Sequence, residues 1–191
     1  MDGMSVNVAM SRAWAMPNRD TFSIKPVGEF VAKYITGVSV DPFARNKQFA
    51  TYTNDLNPDT HATYHMEALD FVEMLRGEGV LADCVLFDPP YSPRQVSECY
   101  RHVGRRTTQQ DTQGASWSNW KAAIAGIVRP GGMVLSFGWN SVGMGMKHGF
   151  TLVELMLCCH GGMHNDTICL AERKVFCLRK RVLKTLQEEK A

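Results

Sequence analysis

Four consecutive residues, Asp88-Pro89-Pro90-Tyr91, carry the side chains of this chain that are best suited to a chemical task. They directly follow the apolar run Val85-Leu86-Phe87, which predicts a buried strand that ends at a carboxylate, two prolines and an aromatic ring. Each proline fixes its own φ and disfavours the α region for the preceding residue, so the tetrapeptide is extended and stiff. An acceptor, a rigid backbone and a stacking face at one point suit a flat heterocycle with an exocyclic amine.

The surrounding sequence alternates between short apolar strands and amphipathic helices. Strands are predicted at 38–40, 49–53, 84–87 and 133–137, and helices at 26–35, 66–75 and 117–128. This alternation predicts an α/β fold with a mainly parallel sheet and helices on both faces. The apolar segments 151–159 and 167–179, joined by a turn at 161–166, predict an antiparallel hairpin at the carboxyl end. Ligands of such sheets lie outside the carboxyl ends of the strands.

Acidic segments fall at the ends of three predicted strands: Asp41-Pro42-Phe43, Asp55 and Asp88. With these segments the chain resembles the amino-group DNA methyltransferases, which use S-adenosylmethionine (SAM) to methylate adenine N6 or cytosine N4. The tetrapeptide at 88–91 matches their catalytic motif in full, and aspartate in first place is more typical of the adenine enzymes. The resemblance covers residues from about 22 to 91. It implies a Rossmann-like SAM-dependent methyltransferase fold, SAM as the cofactor and DNA as the partner, with RNA as an alternative.

The predicted first strand leads into the segment that matches the start of the family's first SAM motif, Asp41-Pro42-Phe43. The family usually continues with two glycines close together, whereas this chain has Ala44, Arg45 and Asn46. Ala44 is small, and asparagine tolerates positive φ better than other non-glycine residues, so Ala44 and Asn46 are expected to preserve the turn.

Two further acids match cofactor positions of the family. Asp55 corresponds to the acid that accepts hydrogen bonds from the ribose hydroxyls, and Glu67 to an acidic position near the adenine. Each residue also has a structural interpretation: Asp55 could form an Asx turn before Pro58, and Glu67 could favour the start of a helix through the helix dipole. Both interpretations stay open at this point.

The tetrapeptide's roles follow from the resemblance. Asp88 and the carbonyl of Pro89 would accept the two amine hydrogens, Pro90 would stiffen the turn, and Tyr91 would stack on a base extruded from its helix. The alternative is an ordinary junction between strand and turn, in which an aspartate caps and a proline breaks the strand.

Candidate nucleic-acid contacts lie after the tetrapeptide. Arg94 follows it closely, and the polar segment 104–114 contains Arg105 and Arg106, which suit phosphates, and Gln109, whose amide suits an adenine edge. The alternative for this segment is a solvated loop without a partner. No separate target-recognition domain fits in the chain.

Composition sets the outer limits. A length of 191 residues with 45% hydrophobic residues fits one globular domain, and the net charge of +2 does not by itself indicate a nucleic-acid binder. We predict a loosely ordered lead-in at 1–20, one methyltransferase domain at 21–181 and a charged tail at 182–191.

The cysteines and the apolar runs point to a reduced, cytoplasmic protein. The six cysteines lack zinc-site spacings, and no apolar run reaches the ~18 residues of a membrane helix. Cys158, Cys159 and His160 could suggest a metal cluster, but neighbouring strand residues point to opposite faces, so no metal is predicted. Besides DNA adenine methylation, two alternatives stay open: an RNA base methyltransferase, and a catalytically inactive binder that has lost the glycines of the SAM motif. The oligomeric state is left open.

Overall fold

The computed structural model describes residues 7–90, 93–104 and 114–175. These residues form one sheet with helices packed against it. The strands are β1 (Ala9–Trp14), β2 (Ser39–Asp41), β3 (Tyr52–Thr53), β4 (Ala82–Phe87), β5 (Val128–Gly138), β6 (Phe150–Cys159) and β7 (Thr167–Lys174). The α-helices are α1 (Lys25–Tyr34), α2 (Ala68–Gly77), α3 (Pro93–His102) and α4 (Gly114–Ile127). Short 3-10 helices lie at Thr21–Ser23 and Met146–His148.

The strand order is β1-β6-β7-β5-β4-β2-β3, and every neighbouring pair is parallel except those that include β7. This confirms the predicted fold class, including the antiparallel pair of β6 and β7. Because β2 to β5 run in the same direction, their carboxyl ends meet at one edge of the sheet, here called the carboxyl edge. The acidic segments of the sequence lie there.

Helices cover both faces of the sheet, as predicted. On one face, Val27, Phe30 and Val31 of α1 pack in a cluster with Leu86 and Leu135 of the sheet. On the other face, residues of α2 and α4 share a second cluster with Val85 and Val134. Successive residues of β4 therefore alternate between the two clusters, which is the period-2 pattern of a strand buried on both sides.

The prediction of a loosely ordered lead-in at 1–20 is wrong for residues 9–14, which form β1. This strand pairs in parallel with β6 at one border of the sheet. Its side chains are mostly exposed, with Met10 at 76% and Trp14 at 65%. Backbone hydrogen bonds rather than burial hold β1 in place, so its sequence carries no apolar alternation that could have revealed it.

Other differences concern element lengths and single contacts. The strand predicted at 49–53 is reduced to Tyr52–Thr53. Cys158 and Cys159 are buried, and His160 bonds through Nδ1 to the Ala15 carbonyl and through Nε2 to the Thr167 hydroxyl, both at 2.8 Å. None of the helices described is long and apolar enough to cross a bilayer. The predicted tail at 182–191 lies outside the described residues.

Candidate active site

Three aspartates meet at the carboxyl edge of the sheet. Asp41 is the last residue of β2, Asp88 directly follows β4, and Asp55 lies two residues beyond β3. Since β2 is hydrogen-bonded to both β3 and β4, the fold brings these residues together. Their proximity has an electrostatic consequence: after burial, the charges of Asp88 and Asp55 are further causes that raise the pKa of Asp41.

The Oδ1 atom of Asp88 is buried, and no described residue forms a hydrogen bond with it. Burial raises the pKa of Asp88 to about 6, although a hydrogen bond from the Thr21 side chain and the charge of Arg45 lower it. Desolvation disfavours the ionised form of a carboxyl group, and bonds or positive charges favour it. Asp88 is therefore mostly ionised at neutral pH but keeps an acceptor atom that none of the described residues uses.

Asp41 has the same property. Its side chain is fully buried, and Oδ1 accepts a hydrogen bond from the Phe43 backbone at 3.0 Å, whereas Oδ2 has no partner in the described part of the chain. Burial raises the pKa of Asp41 well above its ordinary value; the bond from Phe43 opposes this shift, and the neighbouring carboxylates reinforce it. Two buried acids with unpartnered oxygens stand side by side, which is costly for a fold unless a ligand supplies the missing donors or positive charge.

Asp55 differs because the backbone around it uses both oxygens. Oδ1 accepts a hydrogen bond from Asn57 at 2.8 Å, which is the Asx-type turn, and Oδ2 accepts one from the Arg45 backbone at 3.1 Å. An ionised carboxylate offers about four acceptor positions, so these bonds leave room for two hydroxyl donors. The ribose-binding role of Asp55 stays a prediction.

The loop after Asp41 forms without the expected glycines. Pro42 and Ala44 are buried, and the Ala44 backbone donates to the Asn54 carbonyl at 2.9 Å. The Phe43 ring packs against the rings of Phe87 and Trp120, at centroid distances of 6.1 and 5.3 Å. Any cofactor contact at position 43 would therefore come from the backbone.

The residue that turns this loop is Arg45, not Asn46 as expected. Arg45 has a φ of +49°, and no other non-glycine residue among those described has a positive φ. Its guanidinium offsets the strain through a 2.9 Å hydrogen bond to the Arg19 carbonyl and a 3.2 Å ion pair with Asp20. Asn46 is exposed. Arg45 therefore fastens the chain segment before Thr21 next to Asp88.

Asn54 lies at the candidate site, although it was not among the site residues predicted from the sequence. It is completely buried, and its Nδ2 donates to the carbonyls of Pro42 and Met66 at 3.1 and 3.0 Å. Its Oδ1 accepts from the Met66 backbone at 3.1 Å, and its own backbone donates to the Asp41 carbonyl at 2.9 Å. Asn54 thus holds the loop after β2 against the segment around Met66 that leads into α2. The sequence shows an asparagine beside Asp55, but it does not show that this side chain is buried or which groups it contacts.

The other predicted residues are placed as follows. Glu67 precedes α2, and its Oε2 accepts from the Tyr100 hydroxyl of α3 at 3.1 Å. Pro89 is buried and Pro90 half-buried beside Asp88. Arg94 is exposed on α3, where its Nε pairs with Glu98 at 2.9 Å, so its charge is balanced within the helix. Tyr91, Arg105, Arg106 and Gln109 lie outside the described residues.

Comparisons with known proteins concern the fold. No family model and no curated protein sequence matches the chain. The crystal structure of N-methyltransferase NodS from Bradyrhizobium japonicum WM9 matches with a TM-score of 0.52 at 10% identity, over 76% of this chain and 90% of that one. The chain has a methyltransferase fold.

Two further solved structures match with lower TM-scores. A putative methylase from Haemophilus influenzae has a TM-score of 0.46 at 10% identity, over 84% of this chain and 92% of that one. M1.HpyAVI has a TM-score of 0.36 at 16% identity, over 58% of this chain, which spans about half of that protein (53%).

Proposed function

We propose that this protein transfers a methyl group from SAM to the exocyclic amine of a base in DNA, with adenine N6 as the target. The observation that carries the proposal is Asp88: a buried carboxylate with an unpartnered oxygen, at the end of a central strand, followed by two prolines. The methyltransferase fold and the acidic neighbours at the same edge support it.

The residues at the carboxyl edge fit SAM. SAM is positively charged at its sulfur and its amino group, and a cluster of three acids, two of which keep an oxygen without a donor among the described residues, suits cationic and hydroxyl donors. In this proposal, Asp41 and the backbone of 42–46 would hold the amino-acid end. Asp55 would hold the ribose, and Glu67 would lie near the adenine.

The protein's contribution to the reaction is to prepare the amine. The lone pair of an exocyclic amine is delocalised into the ring, so the nitrogen is a poor nucleophile. By accepting the two amine hydrogens, Asp88 and the Pro89 carbonyl would favour a geometry in which that lone pair is localised on nitrogen. SAM supplies a sulfonium methyl group, so the N–C bond forms as the C–S bond breaks with its electron pair left on sulfur.

The amine must then lose one proton. Asp88 is ionised at neutral pH and already accepts a hydrogen bond from the amine in this proposal, so it is placed to take that proton and pass it to water. Tyr91 would stack on the extruded base, a contact worth about 1 to 3 kcal/mol.

The test is to incubate the protein with labelled SAM and plasmid DNA that lacks methylation, then digest the DNA and identify the modified nucleoside. We expect N6-methyladenine. Detection of N4-methylcytosine would change the target base from adenine to cytosine. Label found only in a competing RNA would change the substrate from DNA to RNA. If calorimetry detects SAM binding but neither DNA nor RNA yields a labelled nucleoside, base methylation is refuted.

Asp88→Ala tests the residue itself. We expect it to abolish transfer while calorimetry still detects SAM binding, because the first SAM motif is intact. Asp59→Asn is a suitable control, since Asp59 is an exposed acid outside the site. Undiminished transfer by Asp88→Ala would remove Asp88 from the mechanism.

A further inference from the structure

A second site lies on the opposite face of the sheet from Asp88. It is a small cavity between α4 and the ends of β4 and β5, here called the donor pocket. It is lined by Phe87, Trp117, Lys121, Ser136, Phe137 and Asn140 together with Gly138 and Gly143. Phe87 pairs in register with Ser136 and directly precedes Asp88. Consecutive strand residues rise about 3.3 Å and point to opposite faces, so the pocket and Asp88 share one strand end.

Ser136 gives the clearest sign that the donor pocket takes a ligand. Ser136 is only 6% exposed, and within residues 7–90, 93–104 and 114–175 its Oγ atom has no hydrogen-bond partner. A buried hydroxyl normally finds a partner, because leaving it without one costs about 1 to 3 kcal/mol. The hydroxyl lines the cavity, so a group that enters the cavity can reach it.

Lys121 adds positive charge to the same cavity. Burial lowers the pKa of Lys121 in spite of the charge of Glu172, and its ammonium lies 5.9 Å from the centre of the Trp117 ring. Glu172 is otherwise engaged: its two oxygens accept hydrogen bonds from the backbones of Met144 and Gly145, at 2.6 and 2.8 Å. Among the described residues, no carboxylate lies within ion-pair distance of Lys121.

Asn140 completes the set of polar groups. Its Oδ1 already accepts a hydrogen bond from the Val142 backbone at 3.1 Å. The amide NH2 is therefore the part of Asn140 that can serve a ligand. An ammonium, a hydroxyl and an amide NH2 form a set dominated by donors, next to the rings of Phe87 and Trp117, which keep water away and strengthen electrostatic contacts.

We propose that the donor pocket binds a phosphate group of the nucleic-acid substrate, next to the nucleotide whose base reaches Asp88. This inference rests on the proposed function. Phosphate oxygens accept from lysine, serine and asparagine side chains, and such contacts position a nucleic acid without reading its sequence. A bound phosphate would satisfy Ser136 and neutralise Lys121. It would also hold the strand so that the base is presented to Asp88 on the other face.

The first experiment needs no methyl transfer. Inorganic phosphate is titrated into labelled protein while NMR follows the backbone amides of Gly138 and Gly143, which line the pocket. We expect saturable shifts in the wild type, an affinity at least about tenfold weaker in Lys121→Gln, because a hydrogen bond from a charged group is lost, and unchanged affinity in Lys147→Gln, an exposed control. Amides that do not respond, or that respond equally in Lys121→Gln, would overturn the proposal.

A second titration compares deoxyadenosine monophosphate with deoxyadenosine. Tighter binding of the nucleotide in the wild type, lost in Lys121→Gln and weakened in Ser136→Ala, supports a phosphate site. Equal binding of nucleotide and nucleoside in the wild type contradicts it. Ser136→Ala is expected to fold normally, because removing an unpartnered buried hydroxyl should leave the melting temperature unchanged or slightly higher. Weaker nucleotide binding in this variant can therefore be assigned to the lost hydroxyl.

Methylation of oligonucleotides separates this proposal from the proposed function. Lys121→Gln should raise the KM for DNA, reduce its salt dependence by about one phosphate contact and leave kcat for a saturating substrate nearly unchanged. If the wild type methylates DNA and Lys121→Gln changes neither the KM nor the salt dependence, phosphate binding at the donor pocket is refuted and the proposed methyltransferase function stands. If phosphate binds at the pocket but no nucleic acid is methylated, the phosphate site stands and the proposed function is refuted.

Discussion

The buried acids of this protein fall into two groups that the fold treats differently. At the carboxyl edge, Asp41 and Asp88 each keep one oxygen that accepts no hydrogen bond from any residue that the structure describes. Away from that edge, Glu172 and Glu154 are also buried, at 3% and 6% exposure, but their carboxylates are bonded. Glu172 accepts from two backbone amides, and Glu154 accepts from Lys33 and Tyr34.

The difference in bonding also changes proton affinity. Burial raises the pKa of Glu154, but the hydrogen bonds from Lys33 and Tyr34 outweigh it, so the pKa lies below its ordinary value. For Asp88 burial prevails, and the pKa is raised to about 6. Acids that serve the fold are supplied with partners by the fold, whereas Asp41 and Asp88 are left with capacity for a ligand.

The largest expected effect concerns Asp88→Asn. This change keeps the shape and one acceptor oxygen but removes the charge, so we expect kcat for methyl transfer to fall by about 10² to 10³. Stability should not fall, because a buried charge without full pairing is removed. Single-turnover methylation and thermal unfolding at pH 8 measure the two quantities. A loss of stability without a loss of transfer would place Asp88 with the structural acids.

Glu172→Ala should have the opposite pattern. It leaves the amides of Met144 and Gly145 without their acceptor, and we expect a loss of about 3 kcal/mol in the free energy of unfolding. Urea unfolding measures it, with Glu172→Gln as the matched variant that retains one acceptor oxygen. A stability equal to that of the wild type would mean that bonding does not separate the two groups of acids.

A pH series sharpens the comparison further. The folded-state pKa of Asp88, about 6, lies above its ordinary value of 3.8, so the folded protein binds the proton more tightly than the unfolded chain. The contribution of Asp88 to stability is therefore fully present below about pH 4 and is lost as the pH rises through 6, by roughly 3 kcal/mol at most. Asp88→Asn should remove this dependence from thermal unfolding curves.

Activity should change with pH in the other direction. Only ionised Asp88 accepts both the hydrogen bond and the proton, so kcat/KM should rise about tenfold per unit below pH 6 and level off above it. Initial rates in buffers of constant ionic strength provide the profile. A profile that is flat between pH 5 and 7 would contradict the assignment of Asp88.

The parts of the fold that the sequence could predict are those that bury an apolar pattern. Helix α1, helix α2 and strand β4 show their periodicity directly, and the stiff tetrapeptide after β4 located Asp88. Strand β1 could not be predicted, because its side chains are mostly exposed and its pairing with β6 depends on residues far away in the chain. Local patterns reveal burial, not edge pairing.

The site divides in the same way. Asp41, Asp55 and Asp88 could be predicted because each ends a strand, and parallel strands bring their ends to one edge. The contacts of Thr21, Arg45 and Asn54 could not, since each joins segments that only the folded chain brings together. The choice of Asn46 for the strained position followed residue preference, whereas the bonds of the Arg45 side chain decided it.

Arg45 provides the smallest and most selective test of the comparison. Arg45→Gly removes the strain of a φ of +49° but also the bonds to Arg19 and Asp20, and these effects, each about 1 kcal/mol, should nearly cancel in stability. The charge of Arg45 lowers the pKa of Asp88, so its loss should move the midpoint of the kcat/KM profile to higher pH. Arg45→Lys retains the charge and should keep the midpoint near that of the wild type.

A midpoint that stays in place in both variants would show that Asp88 titrates independently of this loop. The proton affinity of Asp88 would then be set by burial and Thr21 rather than by the charge of Arg45.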